Sequence, residues 1–208
     1  MPGPAPHLTS YFHVWADGSW QTPVSEWLAA LASSGLDRAL AERYVGIVGS
    51  GGNRRQVRAA MPGWNVVVEA RVGWEQVTLS CLRDNVTRHQ ASKAVLYAHT
   101  KGAHDNSALN RRWRQRMTCE VVDKWRQCAD LLADGYDAVG PYWLTPKDWP
   151  NTHVADNNTP MFGGNFWWAR SEYLRRLPEV TCGSRFEAET WLGRGGPRVF
   201  NLRAGWPP

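Results

Sequence analysis

Four short apolar, β-prone runs, each ending in a turn signal and followed by a connection of helix length, decide most of what this chain can fold into. They are Tyr11–Trp15, Tyr44–Val48, Trp64–Ala70 and Ala94–Ala98. Connections this long are not hairpins, so the strands are expected to pair in parallel through crossovers. The crossovers carry helix signals of their own. Thr22-Pro23 offers an N-cap followed by proline at the first helical position, and Val24, Trp27, Leu28 and Leu31 follow at helical spacing up to Ser34-Gly35. Asn53 to Met61 reads as a short helix stopped by Pro62-Gly63, and Leu79, Leu82 and Val86 mark the buried stripe of a helix from about Gln76 to His89. The fold class is α/β: a Rossmann-like, mostly parallel central sheet flanked by helices, wound by βαβ units. At 208 residues the chain suits one domain, with a first half over about 11–102 and a second over about 103–208.

The second half is less regular. After a polar stretch, Ala103 to Asn110, read as mobile, the periodicity predicts one long helix with Trp113, Met117, Val121, Trp125, Cys128 and Leu132 on one face and Gly135 as its stop. Asp137–Trp143 reads as a strand, and 144–160, rich in Pro, Asp, Asn and Thr, as a functional loop or lid. Met161–Ala169 returns to strand, Ser171 caps a short helix through Leu177, and a last helix starts at Arg185 and runs towards Gly193. The tail is Gly- and Pro-rich.

In an open α/β sheet, ligands sit beyond the carboxyl ends of the strands. The abrupt change from Ala94–Ala98 to His99-Thr100-Lys101-Gly102 therefore reads either as a plain strand exit or as a ligand-binding loop. Gly49 to Asn53 is read as a tight turn between strand and helix. Arg111, Arg112, Arg114 and Arg116 crowd the start of the long helix, where the helix dipole disfavours cations. They are either solvated surface groups or partners of an anion. The formal charge of +5 suits a nucleotide, polyphosphate or nucleic acid without choosing among them. Thirteen tryptophans are an unusual number, which either reflects a GC-rich coding sequence or places many in the core and some with a flat face towards a sugar or base. Cys81, Cys119, Cys128 and Cys182 form no CxxC pair and read as core thiols in a reducing compartment. No apolar run is long enough to span a bilayer and the first residues lack a signal-peptide pattern, so the expected location is cytoplasmic.

Several blocks together resemble a small GT-A-fold glycosyltransferase of the kind found in bacterial surface-polysaccharide clusters and in phages. They are Leu96 to Gly102, Trp113 with Met117, Tyr136 to Gly140, Gly164 to Ala169 with Tyr173, Leu174 and Pro178, and Glu189 to Gly193, joined by Glu75 with Thr78-Leu79. The resemblance implies a nucleotide-sugar donor, most often a UDP-sugar, bound by the first half, and an acceptor bound by the second. It puts His99, Thr100, Lys101, Gly102, Glu75 and His13 on the donor side. On the acceptor side are Asn165, Trp167, Trp168, Arg111, Arg112 and Arg114. Strand alternation suggests that one of the two tryptophans faces the acceptor and the other packs the sheet. Glu189 stands where such enzymes often place the catalytic base, with Glu187 as second choice, only one of the two being expected to point into the site.

The chain departs from the wider pattern in having no Asp-x-Asp triplet, which in most GT-A enzymes holds a divalent cation on the diphosphate. The HTKG loop occupies its place, and Lys101 could neutralise diphosphate charge directly. Dependence on Mn²⁺ or Mg²⁺ is thus left open, with Asp105 or Asp156 as possible ligands. The acceptor is either a surface glycan or a hydroxymethylated base in phage DNA. The alternative from another class is a non-catalytic module, derived from a transferase fold, that binds nucleic acid or sugar. A dinucleotide-dependent oxidoreductase is disfavoured because no strand leads into a Gly-x-Gly-x-x-Gly turn.

Overall fold

A computed structural model describes residues 7–148, 158–183 and 186–205. The four apolar runs are the strands β1 (His7–Trp15), β2 (Glu42–Val48), β3 (Asn65–Ala70) and β4 (Lys93–His99). Between them lie α1 (Gln21–Ser34) with a single turn α2 (Leu36–Ala39), then α3 (Gly51–Ala60), then α4 (Gln76–Arg88). The ends follow local chemistry. α1 stops at Gly35, whose φ of 75° lets its N–H reach the Ala32 carbonyl. α3 starts at Ser50, whose hydroxyl accepts from the Asn53 N–H.

The second half supplies α5 (Ala108–Thr118), one π-helical turn (Cys119–Asp123), α6 (Trp125–Ala133), β5 (Ala138–Pro141), and the small ribbon of β6 (Trp143–Leu144) with β7 (Met161–Phe162). It ends with β8 (Trp167–Arg170), α7 (Ser171–Arg176), α8 (Phe186–Thr190), a 3₁₀ turn (Trp191–Gly195) and β9 (Val199–Arg203). The main sheet has seven strands in the order β3-β2-β1-β4-β8-β5-β9. β1 to β4 pair in parallel, β8 runs antiparallel to both β4 and β5, and β9 is parallel to β5. The α/β class and the mostly parallel sheet are as the sequence predicts.

Alternation along the strands divides the core into two layers. Phe12, Leu96 and Trp168 point to the side covered by α1, α3, α5 and α6, where Phe12 stacks on Trp27 with centroids 4.9 Å apart. Tyr11, Tyr97 and Trp167 point to the opposite side, under α4, α7 and α8. Because β8 is an interior strand covered on both faces, Trp167 and Trp168 are both buried, at 1% and 0% exposure. The expectation that one of them faces outward is corrected by that double coverage.

Further expectations change. The single long helix is α5 and α6 joined by the π-helical turn, whose carbonyls find partners outside the regular ladder: the Val121 carbonyl accepts from Trp168 Nε1 at 2.7 Å. The tail contains β9, held to that turn where Arg203 meets buried Glu120 at 3.2 Å. Of the four cysteines, all free, only Cys128 is fully buried, while Cys119 and Cys182 are exposed. The polar stretch before α5 is tied down, with Asp105 Oδ1 accepting from the Ser107 N–H and the Ala103 carbonyl accepting from the Ser19 N–H. Among the described residues no helix is long and apolar enough to cross a membrane.

Candidate active site

The sheet grows from β1 to β2 to β3 through helices on one face, then returns to the other side of β1 through α4 on the opposite face. The switch in direction falls between β1 and β4, and such a point opens a crevice beyond the carboxyl ends of the two strands. His13 and His99 are the last paired residues there. A cleft of about 310 Å³ opens beside them, lined by Trp15, by Gly73 to Glu75 ahead of α4, by His99 to Asp105, by Asn110 and by Glu189.

At the base of the cleft lies a carboxyl group held almost entirely by neutral partners. Glu75 Oε2 accepts from the Tyr97 hydroxyl at 2.8 Å and from Asn165 Nδ2 at 2.7 Å. Its Oε1 faces His99 Nδ1 at 3.5 Å, and the side chain is 14% exposed. Asn165 is held by its own left-handed backbone, φ 58°, and by accepting from Trp167 Nε1 at 2.7 Å. Burial raises the Glu75 pKa above the usual carboxylate value, and the nearby His13, Tyr97, Asn165 and Lys101 only partly offset it. Burial, reinforced by Glu75, also raises the Tyr97 pKa, so the phenol stays a donor. His99 Nε2 lies 3.0 Å from the Gly164 carbonyl, which can only accept, so that nitrogen carries hydrogen. Its Nδ1 then faces Glu75 favourably when one proton lies between the two groups.

His13 is 3% exposed, and its Nδ1 meets Thr78 Oγ1 at 2.8 Å. Burial lowers its pKa to about 4, with Glu75 opposing and His99 reinforcing the shift, so the ring is neutral near pH 7. The contact requires a glycine in the neighbouring strand. A Cβ on Gly46 would lie 1.9 Å from Thr78 Oγ1.

The HTKG loop is fixed residue by residue. Thr100 donates its N–H to the His13 carbonyl at 2.9 Å and accepts from the Trp15 N–H at 3.0 Å, stitching the loop to β1. Gly102, at φ 81°, sits where a Cβ would lie 2.9 Å from Asn110 Cβ. Lys101 Nζ stands over the Trp113 ring, 3.8 Å from its centroid. The Lys101 carbonyl accepts from Arg114 at 2.7 Å.

The expected site residues are therefore sorted by the fold. His13, Glu75, His99, Thr100, Lys101, Gly102 and Glu189 meet in the cleft, with Asp105 at its wall. Glu187 turns away, its Oε2 accepting from the Gly183 N–H at 3.1 Å and from the Thr181 hydroxyl. Arg114 is 3% exposed and pairs with Glu26 at 2.7 Å, which makes it a brace between α1, α5 and the loop. Arg111 and Arg112 are exposed on the first turns of α5. The Trp167 ring lies against Tyr97, centroids 5.1 Å apart, and Trp168 is held by Val121, so neither ring presents a face to the cleft. Asn165, expected on the acceptor side, instead supports Glu75. Tyr97, Thr78 and Trp74 were not anticipated at the site. Tyr97 had a signal, since it precedes His99 by two residues and so shares its face of the strand.

Among the described residues no three His, Cys, Asp or Glu side chains gather as metal ligands. Asp105 uses its carboxylate to accept from the Ser107 N–H and the Asn110 side-chain amide at the entry to α5, and Asp156 lies outside the described residues. The described residues thus do not form a preassembled cation site.

The same fold occurs in solved proteins, two of which are described as sugar transferases. A candidate nucleotide-diphospho-sugar transferase from Desulfovibrio desulfuricans G20 is similar over 96% of this chain and 80% of its own, with TM-score 0.52 and 15% identity. The mannosyltransferase PcManGT from Pyrobaculum calidifontis, solved with GDP-Man and Mn²⁺, is similar over 100% of this chain and 59% of its own, with TM-score 0.51 and 17% identity. Rv0371c from Mycobacterium tuberculosis H37Rv, solved with manganese, is similar over 96% and 90%, with TM-score 0.51 and 14% identity. At these identities the likeness establishes a GT-A-like α/β fold. No curated protein matches the chain in sequence. Residues 21–190 match the family described as a domain of unknown function (DUF8361), and the chain belongs to that family.

Proposed function

We propose that this protein is a glycosyltransferase that moves a sugar from a nucleotide-sugar donor to a hydroxyl acceptor, either a glycan or a hydroxymethylated base in DNA. The observation that carries the reading is the meeting of a lysine, Lys101, and a carboxylate, Glu189, in one cleft at the switch point of the sheet. In this reading the HTKG loop and His13 receive the donor diphosphate and sugar, and Lys101 offsets the charge that builds on the leaving group. Glu189 takes the proton of the acceptor hydroxyl as its oxygen bonds to the anomeric carbon and the bond from that carbon to the diphosphate breaks. Glu75 and His99 hold the loop in register with the Gly164-Asn165 turn. A divalent cation, if the donor brings one, would need only one or two protein carboxylates, and a Mn²⁺ titration of activity measures that dependence.

The test is release of nucleoside diphosphate from a donor panel with wild type and Glu189→Gln. Loss of turnover by roughly 10²–10⁴-fold with donor binding retained supports the base assignment. Unchanged turnover removes Glu189 from that role. Donor binding without turnover in the wild type, across acceptors, favours the non-catalytic module.

A further inference from the structure

The cleft opens onto a rim whose composition differs from the rest of the surface. Among the described residues only Val66, Val72, Trp74 and Leu109 are large hydrophobics left exposed. Three of them belong to the rim. Val72, 82% exposed, and Trp74, 53%, lie on the loop between β3 and α4, while Leu109, 49%, opens α5 on the other side of the HTKG loop. Trp74 itself lines the cleft.

Arginines accompany them. Arg71 directly follows β3, Arg54 and Arg55 lie in the first turns of α3, and Arg111 and Arg112 lie in the first turns of α5. Each of these segments leaves the carboxyl end of a strand in the β1–β4 half. None of the five arginines lies within 4.0 Å of a carboxylate among the described residues. The acids of the same rim are largely engaged by local donors: Asp17 by the Ser50 N–H and Asn53, and Asp105 by Ser107 and Asn110. Arginines elsewhere are commonly neutralised, as with Arg43 on Asp37, Arg170 on Asp137 and Arg203 on Glu120.

A helix start is an unfavourable place for a cation unless an anion faces it. Two helix starts here carry arginine pairs, and an exposed tryptophan on the loop leading into α4 lines the cleft. Cations that track a charged backbone, together with an aromatic face for a base, are what a single nucleic-acid strand requires. A neutral glycan would use the aromatic face but gain nothing from the arginines. We propose that this rim binds a nucleic-acid strand, with Arg54, Arg55, Arg71, Arg111 and Arg112 on phosphates and Trp74 stacked on a base at the cleft mouth. The strand's role as acceptor rests on the transferase reading; its binding does not.

The experiment is fluorescence anisotropy of the full chain with a fluorescein-labelled single-stranded DNA about twenty nucleotides long, between about 50 and 200 mM salt. Neutralising four or five phosphates predicts a slope of log affinity against log salt near −3. Arg71→Glu/Arg112→Glu is expected to weaken binding by at least about tenfold and to flatten the slope by about 1.4. Arg38→Glu/Arg88→Glu makes the same change in net charge away from the rim and should leave binding within about twofold of wild type. Trp74→Ala is expected to lose about 5- to 100-fold with the slope retained. Absence of binding, or equal loss in both double variants, overturns the proposal. A nucleotide-sugar titration of the same proteins separates the two readings. Donor binding without DNA binding removes the rim and leaves the transferase, whereas rim-dependent DNA binding without donor binding does the reverse.

Discussion

Each end of the sheet draws a carboxylate out of water, and the two ends solve the problem differently. At the amino end Glu42 is paired with buried Lys93 at 2.6 Å and also accepts from Thr9. Burial alone would raise its pKa, but the lysine's hydrogen bond and charge, helped by Thr9 and Tyr44, hold it below the ordinary value. At the carboxyl end the partners of Glu75 among the described residues are a phenol, an amide and an imidazole, and burial keeps its pKa high. The first arrangement closes a charge into structure. The second leaves a proton available beside an open cleft, which structure alone does not require and chemistry can use.

The largest expected effect tests the polar side of this contrast. His13 has an ordinary pKa of 6.5 and a folded value of about 4. Between these values the unfolded chain takes up a proton that the folded ring refuses, so stability falls as pH drops from 6.5 towards 4. The loss is on the order of 3 kcal/mol by linkage. Glu75 acts with the opposite sign. With its folded pKa raised, its contribution is fully present below the ordinary carboxylate pKa and is lost as pH rises towards the folded value. Urea midpoints measured across this range should show the acid-side decline in wild type and a flatter profile in His13→Asn. An equally steep profile in the variant would place the titration elsewhere.

Next in size is Lys93→Met. It leaves Glu42 with hydroxyl partners in place of its cation, and because Glu42 is 34% exposed the cost should fall below that of a fully buried pair, about 1–3 kcal/mol in urea denaturation. The smallest change in stability is expected for Glu75→Gln. The amide oxygen can still accept from Tyr97 and Asn165, and the amide nitrogen can donate to His99 Nδ1, so stability near pH 7 should be unchanged or raised by up to about 1 kcal/mol while turnover falls. A destabilisation equal to that of Lys93→Met would mean that the two ends are built alike.

The parallel half was legible because its signals are local. β1 to β4 are each a run of apolar residues ended by a turn, and α1, α3 and α4 begin and end within a few residues of the predicted positions, while the single turn α2 has no counterpart in the sequence reading. β9 was not legible, because Val199–Arg203 sits between Gly- and Pro-rich flanks and owes its pairing to distant β5. The π-helical turn keeps helical spacing, so periodicity reads straight through it. In the site, His99 and Lys101 stand out as part of a polar cluster at the end of an apolar strand, whereas His13, Glu75 and Glu189 are pointed to by the resemblance. The roles of Arg114, Trp167 and Asn165 were not readable. Burial of an arginine against Glu26, or an amide turned towards Glu75, depends on contacts 88 and 90 residues apart.

The most direct test of a nucleotide-sugar site at this switch point is thermal stability against UDP-, GDP- and dTDP-sugars, with and without Mn²⁺, in wild type and Lys101→Ala. A donor at about a hundred times its dissociation constant stabilises the native state by about 2.7 kcal/mol. The expected result is a rise in melting temperature selective for one nucleotide and strongly reduced in Lys101→Ala. No rise with any donor, or a rise that Lys101→Ala leaves intact, would contradict the assignment of this cleft.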